Sequence, residues 1–268
     1  MVQTRWRPSP VTDEDDRFMR DLEDDTEDAP WMSMGDLQFW SASGFAHSLH
    51  DYVEEQGLDW YVAAMLPILY HWPGVEGTKQ LAPDTMVAFV ANHSRTSYDL
   101  EAEGAFPPFV LEVISPSSVG RDEVEKRRAY DLLGAREYAL FRPRQGRAST
   151  LHGYRRGEDG QFAPWPPDAR GRLWSDALGL YLVVQGQLVQ AETPDNQLLL
   201  TPGQATAARR QAEAAQQQAE AAQQQAEAAR QQAEVARQQA EDEAARLRRE
   251  VDRLQGLREA GEGEGDAR

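Results

Sequence analysis

An apolar run near the middle of the chain, Phe109–Ile114, is the clearest strand signal in the sequence. Branched and aromatic residues at this density predict a strand that is buried on both of its faces. A single carboxylate, Glu112, interrupts the run. Burying a carboxylate costs on the order of several kcal/mol unless a partner compensates its charge, and a metal ion is one such partner.

The residues after this strand predict a crossover unit. A polar break at Ser115–Ser118 leads to a charged stretch with one partly apolar face, which predicts a helix over Glu123–Gly134. The apolar run Tyr138–Phe141 then predicts a second buried strand. Strand, helix and strand at this spacing indicate two strands of one sheet that the helix connects.

Hydrophobic periodicity predicts further elements on either side of this unit. Upstream, Asp36–Gln56 has the pattern of an amphipathic helix, while Trp60–Tyr70 and Pro83–Ala91 have that of strands. Pro67 indicates an edge strand or a bulge, because proline has no N–H to donate. Downstream, two hairpins are predicted, at Leu151–Arg155 with Gln161–Trp165 and at Leu178–Val184 with Leu188–Gln190.

A seven-residue repeat begins near Ala205 and reads QAEAAQQ in its simplest form. Its alanines alternate at spacings of three and four, which predicts a coiled-coil seam. Near its end the seam changes, with a stutter, to Ala240, Ala244, Leu247, Val251 and Leu254. We therefore expect a homo-oligomer joined through this helix, and the alternative is a long single helix without a fixed partner.

Composition divides the chain into four parts. We expect a largely disordered acidic lead over residues 1–34, a globular α/β domain over 35–204, the coiled-coil helix over 205–260 and a disordered tail over 261–268. The net charge of −17 resides mainly in the two ends and argues against general affinity for nucleic acid. The lead is interpreted as a solvated tail; the alternative is that it mimics nucleic acid or binds a basic partner.

Features that the sequence lacks exclude cysteine-dependent sites and disfavour a secreted or membrane-spanning protein. The chain has no cysteine, which excludes disulfides, thiolate zinc sites and cysteine nucleophiles. No apolar stretch follows the first residues as in a signal peptide, and no window has the uncharged apolar length that spans a bilayer. We therefore expect a cytoplasmic protein that does not bind membranes.

Two carboxylates and a lysine form the candidate chemistry. Asp84 follows a proline and opens a strand, and Glu112 lies inside the central strand. Lys126 lies on the helix that follows, four residues after Asp122. Carboxylates suit Mg²⁺, and an ammonium can orient water, so this set suits metal-dependent phosphodiester hydrolysis. Taken singly, Asp84 is also compatible with a role as a turn residue after proline. Asp122 and Lys126 are also compatible with a surface ion pair.

A longer string of motifs can be compared with known families. It comprises Pro83-Asp84, Arg95-Thr96-Ser97-Tyr98, Pro108–Ser117, Asp122, Lys126, Tyr130 and Glu137-Tyr138. This string resembles the Uma-type restriction endonucleases, a bacterial family with the PD-(D/E)XK nuclease fold. The resemblance extends more loosely over Trp60–Gln204, through Leu151–Tyr154, Leu178–Leu180 and Thr201–Gly203.

The resemblance implies an α/β fold with a restriction-endonuclease-like mixed sheet flanked by helices, here followed by the long C-terminal helix. It implies that Asp84 and Glu112 bind Mg²⁺ or Mn²⁺, with the backbone carbonyl of Ile114 as a further metal ligand. Lys126 would assist the attacking water, and Asp122 would position Lys126. Nucleic acid, with DNA favoured, would be the substrate.

The chain departs from the motif at two positions. The general nuclease motif has its lysine two residues after the acid, where this chain has Ile114; Lys126 on the following helix matches the family instead. Family members also read Asp-Pro at the end of the next strand, where this chain has Arg142-Pro143. No role is therefore expected for that missing acid.

Two other functions are compatible with the sequence. In the first, the core is an inert nuclease-fold scaffold that acts through coiled-coil self-association or partner binding. This function predicts no hydrolysis. A different metal-dependent phosphoesterase on the same fold is the second. Under the nuclease hypothesis, Lys126→Ala is expected to remove cleavage and to leave the fold intact.

Overall fold

A computed structural model describes residues 11–25, 35–115 and 118–265. Its helices are α1 (Asp13–Asp21), α2 (Asp36–Gln56), α3 (Leu100–Glu103), α4 (Arg127–Leu133) and α5 (Pro202–Gly265), and a π-helical turn, Arg121–Lys126, leads into α4. The strands are β1 (Tyr61–Ala64), β2 (Ile68–Tyr70), β3 (Lys79–Leu81), β4 (Thr85–Ala88), β5 (Tyr98–Asp99), β6 (Phe109–Val113), β7 (Glu137–Arg142), β8 (Thr150–Arg156), β9 (Phe162–Pro164), β10 (Leu173–Ser175), β11 (Leu180–Gln185) and β12 (Leu188–Glu192).

A six-stranded mixed sheet in the order β1-β4-β6-β7-β8-β9 forms the centre of the fold. Strands β6 and β7 are parallel, from Phe109 opposite Glu137 to Val113 opposite Phe141, and β4 is antiparallel to β6. The predicted crossover unit and the predicted mixed sheet with flanking helices are therefore confirmed. The connecting helix differs in one respect, because it begins with the π-helical turn at Arg121 rather than at Glu123.

The central strand β6 is buried on both faces, as its apolar run predicts. Phe109, Leu111 and Val113 pack with α2 in one hydrophobic cluster, while Val110 packs with α4 and Tyr138 in the other. Because side chains alternate along a strand, Glu112 projects to the same face as Val110. The carboxylate is thus directed toward the helix that carries Lys126.

The stretch Trp60–Tyr70 is two strands rather than one. Strand β1 belongs to the central sheet, whereas β2 belongs to a three-stranded sheet in the order β3-β2-β5. The break between them contains Met65, which has a left-handed backbone (φ 54°), and Pro67. The two predicted hairpins are present as the antiparallel pairs β8–β9 and β11–β12, and β10 joins the second of them.

The acidic lead is ordered over part of its length. Residues 13–21 form α1, whose N-cap Thr12 makes a capping box with Asp15. Met19 and Leu22 are buried in the core, so the apolar residues of this short helix outweigh its acidic composition. The expectation of disorder over residues 1–34 is corrected for residues 11–25, while 1–10 and 26–34 lie outside the described residues.

The chain divides into two units, Met1–Ala205 and Thr206–Arg268. The described part of the second unit is helix α5 from Thr206 to Gly265, whose described side chains are exposed. The expected disordered tail, 261–268, is thus helical as far as Gly265, and residues 266–268 are not described. The coiled coil stays a prediction. None of the described helices is long and apolar enough to cross a bilayer.

We predict that Gly153→Ala destabilises the central sheet. A Cβ at Gly153 would lie 2.7 Å from the Tyr138 carbonyl oxygen and 2.9 Å from Cε3 of Trp165. Overpacking of this kind lowers the free energy of unfolding by about 1–3 kcal/mol, measured by urea denaturation. As a control, a Cβ at Gly203 meets no atom within 4 Å, so Gly203→Ala should be neutral or slightly stabilising. Equal stabilities of the two variants would contradict this packing.

Candidate active site

Asp84 and Glu112 lie side by side because β4 and β6 are paired. Thr85 is opposite Leu111, so the residue before β4 meets the next residue of β6. The backbone N–H of Asp84 donates to Oε2 of Glu112 at 3.4 Å, and Oδ2 of Asp84 accepts from the Val113 N–H at 2.6 Å. Asp84 is 8% exposed and Glu112 1%. Asp84 thus lies in a bend directly before β4, as the turn alternative expects, and it is buried beside Glu112.

Lys126 reaches this pair from the π-helical turn. Its Nζ donates to Oε1 of Glu112 at 3.0 Å and to the carbonyl of Ala82 at 3.3 Å, and it lies 3.8 Å from Oδ1 of Asp122. Lys126 and Asp122 are both buried, so the alternative of a surface ion pair is wrong. Single π-helical turns occur frequently at functional sites, and this one directs Lys126 into the cluster.

Ile114 lies directly after β6, two residues beyond Glu112. Its side chain is buried in the hydrophobic cluster, and its N–H donates to the Phe141 carbonyl at 2.7 Å. The structure thus brings together the side chains of Asp84, Glu112, Asp122 and Lys126, and it places Ile114 at the same end of the strand.

Three further residues contact the cluster and were not proposed as site residues from the sequence. The hydroxyl of Tyr130 donates to Oε1 of Glu112 at 2.8 Å, and Nε2 of Gln38 donates to Oδ2 of Asp84 at 3.5 Å. Asp25 lies 3.3 Å from Nζ of Lys126. Tyr130 follows Lys126 by four residues, a spacing that could have linked them. For Gln38 and Asp25 the sequence offers no comparable signal.

Burial sets the protonation of the cluster. It raises the pKa of Asp84 to about 6 and the pKa of Glu112 well above its usual value, with Lys126 opposing both shifts. For Lys126, burial lowers the pKa, but the carboxylates of Glu112 and Asp25 outweigh burial and hold the pKa above its usual value. The amine of Lys126 is therefore a charged ammonium at neutral pH.

The buried cluster contains more carboxyl groups than cationic side chains. Its four buried carboxylates belong to Asp25, Asp84, Glu112 and Asp122, and its two buried cations to Arg121 and Lys126. In addition, Oε1 of Gln38 is buried without a hydrogen-bond partner in the described part of the chain. Two carboxyl groups without a matching cation and an unpaired amide oxygen fit a hard divalent cation, which prefers oxygen ligands and would offset the cost of ionising Asp84 and Glu112.

The protein alone would supply only part of a metal's coordination shell. Within residues 11–25, 35–115 and 118–265, no three His, Cys, Asp or Glu side chains are arranged to hold a metal ion. A cation at Asp84 and Glu112 would thus also use backbone, amide, water or substrate oxygens. Mg²⁺ commonly binds in this way, through one or two carboxylates.

Comparisons with known proteins match a family model and solved structures. The family model described as "Uma2: Putative restriction endonuclease" matches residues 29–185. A crystal structure titled as a "putative nuclease belonging to DUF820" from Anabaena variabilis is 16% identical, covering 60% of this chain and 87% of that chain with a TM-score of 0.38. No curated protein matches the chain. The family match includes Asp84, Glu112 and Lys126 but begins after α1 and Asp25.

We predict that Lys126→Met destabilises the fold, which replaces the expectation that loss of this lysine leaves the fold intact. The ammonium lies within 4 Å of three carboxylates, those of Glu112, Asp25 and Asp122. Removing one partner of a buried ion pair leaves uncompensated charge and costs about 3–5 kcal/mol. Urea denaturation in the absence of divalent metal would measure this loss.

The double variant Lys126→Met with Glu112→Gln provides the control. It removes one charge of each sign, so it should recover part of the lost stability. A Lys126→Met protein as stable as the wild type would contradict the buried position of the ammonium.

Proposed function

Since the chain belongs to the Uma2 family of "putative restriction endonucleases", we propose that it is a metal-dependent endonuclease that hydrolyses phosphodiester bonds of nucleic acid, with DNA as the substrate. One observation carries the proposal. The backbone of Asp84 and the ammonium of Lys126, from separate elements, both contact the buried Glu112 carboxylate. This combination of acids and ammonium suits phosphodiester hydrolysis.

Asp84 and Glu112 would hold Mg²⁺ or Mn²⁺ together with the carbonyl oxygen of Ile114. In Asp84 the two described donors contact Oδ2, which leaves Oδ1 for a cation. In Glu112 the side-chain donors Lys126 and Tyr130 both contact Oε1, which leaves Oε2 with only the long backbone contact. The bound ion would supply charge neutralisation at the scissile phosphate and a lowered pKa of bound water.

Lys126 acts as a charged donor in this proposal rather than as a base. Its ammonium is surrounded by carboxylates and has no neutral amine to accept a proton at neutral pH. From its position beside Glu112, it orients the attacking water and stabilises the negative charge that develops on the phosphate. Asp122, 3.8 Å away, and the Ala82 carbonyl help to hold the ammonium in place.

Metal titration is the first test, because it does not require the correct target sequence. We expect calorimetry to detect Mn²⁺ and Mg²⁺ binding to the wild type, and Asp84→Asn and Glu112→Gln each to weaken it at least about tenfold, since each removes a charged oxygen ligand. Glu123→Gln is the matched control, because Glu123 pairs with Arg142 outside the cluster. The metal affinity of Glu123→Gln should equal that of the wild type.

A cleavage screen follows from this result. Mixed DNA substrates would be incubated with metal and either wild type or Glu112→Gln, and cleavage should require Glu112. If the wild type binds no metal even with nucleic acid present, the nuclease proposal is overturned and an inert scaffold becomes the better account.

We also propose that α5 joins copies of the chain into a homo-oligomer. Leu247, Val251 and Leu254 recur at spacings of four and three, and each is more than half exposed along one helix. Burying such a stripe against a second helix is favourable, at about 25 cal/mol per Å² of apolar surface. Two nuclease domains held in this way would bring two sites to one duplex.

We predict that Leu247→Lys lowers the oligomer's mass, because it places a charge in the seam. Ala245→Lys is the matched control, since it adds the same charge two residues away, off the predicted seam. Analytical ultracentrifugation would show dissociation of the first variant only. A monomeric wild type, or equal dissociation of both variants, would contradict the proposed seam.

A further inference from the structure

We propose that Asp25 is a positioning residue for Lys126, which makes residues 11–25 a working part of the active site rather than an acidic tail. The inference rests on the proposed function for its consequence in catalysis. Its structural basis is separate, because it follows from how the N-terminal segment docks. Asp25 lies outside the residues that the family model matches, 29–185.

The residues that precede Asp25 are held against the fold by hydrogen bonds to β3. Nζ of Lys79 donates to the carbonyls of Arg20 at 3.1 Å and Leu22 at 2.5 Å. The backbone N–H of Gln80 donates to Oδ1 of Asp24 at 3.1 Å. These contacts hold the chain beside β3, which is followed after two residues by Asp84. Docking of the segment therefore delivers Asp25 to the cluster.

The partners of the Asp25 carboxylate include Ala82, Lys126 and Arg121. Oδ2 accepts from the Ala82 N–H at 2.9 Å and lies 3.3 Å from Nζ of Lys126. Oδ1 accepts from Nε and Nη2 of Arg121, at 3.0 and 2.7 Å. The side chain of Asp25 has no exposed surface. A carboxylate buried to this extent is held by its partners, and it holds them in turn.

This arrangement divides the Lys126 ammonium between two carboxylates, Asp25 and Glu112. Without Asp25, Lys126 would lose one of these two anchors and would be held beside Glu112, the residue that a bound cation also needs, by fewer contacts. With Asp25 present, the ammonium has a second anchor, which comes from the N-terminal segment rather than from the strands that carry Asp84 and Glu112. Asp25 thus keeps Lys126 at the site while Glu112 remains available for a cation.

The chain offers an unusually clean measurement, because it contains only two lysines, Lys79 and Lys126. Lys79 reports on docking of the segment, and Lys126 reports on the site. Competitive labelling with an amine-reactive anhydride, followed by peptide mass spectrometry, reads both in the same folded, full-length protein. Asp25→Asn is the test variant. Asp24→Asn is the matched control, since Asp24 contacts the Gln80 backbone and the same charge is removed.

We expect Asp25→Asn to raise the labelling rate of Lys126 about tenfold or more and to leave that of Lys79 within about twofold, because the variant removes an opposite charge 3.3 Å from the Lys126 ammonium, and such a charge changes the reactivity of an amine by about tenfold or more. Asp24→Asn should leave Lys126 unchanged. In the metal-dependent cleavage reaction, Asp25→Asn should lower kcat by a similar factor with little change in KM, and Asp25→Glu should restore part of it.

Two results would overturn the proposal. Unchanged Lys126 labelling in Asp25→Asn would show that Asp25 does not hold the ammonium. An equal rise at Lys79 and Lys126 would show that Asp25 only docks the segment. Neither result depends on metal binding or cleavage by the wild type, so failure of the nuclease proposal would be recognised separately by the titration of the wild-type protein.

Discussion

The buried ion pair between Lys126 and Glu112 is the interaction on which the rest of the site depends. Glu112 lies in the central strand of the sheet, where burial raises its pKa and disfavours its charged form. Lys126 offsets that cost from the π-helical turn. The strand pairing, the crossover helix and the N-terminal segment each contribute a residue to this cluster, namely Asp84, Lys126 and Asp25. The local chemistry and the overall fold are therefore coupled.

Such coupling explains why the site combines features that are unfavourable when taken alone. Buried carboxylates, a buried ammonium and an unpaired Gln38 oxygen all reduce stability relative to an apolar core. They cluster at one end of β6, whereas apolar side chains pack both faces of the sheet along most of its length. A further buried carboxylate, Glu137 at the start of β7, lies outside this cluster and accepts hydrogen bonds from the Ser175 hydroxyl and the Asp176 N–H.

The sequence predicted the parts of the fold that depend on local pattern. The runs at Phe109–Ile114 and Tyr138–Phe141 could be recognised as buried strands, and their spacing predicted a crossover. The burial of Asp122 and Lys126 was harder to predict, because their four-residue spacing is the same on an exposed helix as on a buried one. The contact of Asp25 with Lys126 could not be predicted, because it joins residues about a hundred positions apart through docking of α1. Acidic residues outnumber apolar ones in this segment, so composition alone does not indicate the few apolar residues that make that docking favourable.

The edges of the central sheet bear on how copies of the chain can meet. One edge strand, β1, is four residues long and is followed by the left-handed Met65, and the other, β9, is three residues long and ends at Pro164. Short edges that end in such breaks offer few consecutive N–H and C=O groups to a strand from another molecule. Sheet extension is thereby discouraged at both sides. Copies of this chain that meet at the central sheet would thus do so through side chains, where specificity is set by sequence rather than by backbone pairing.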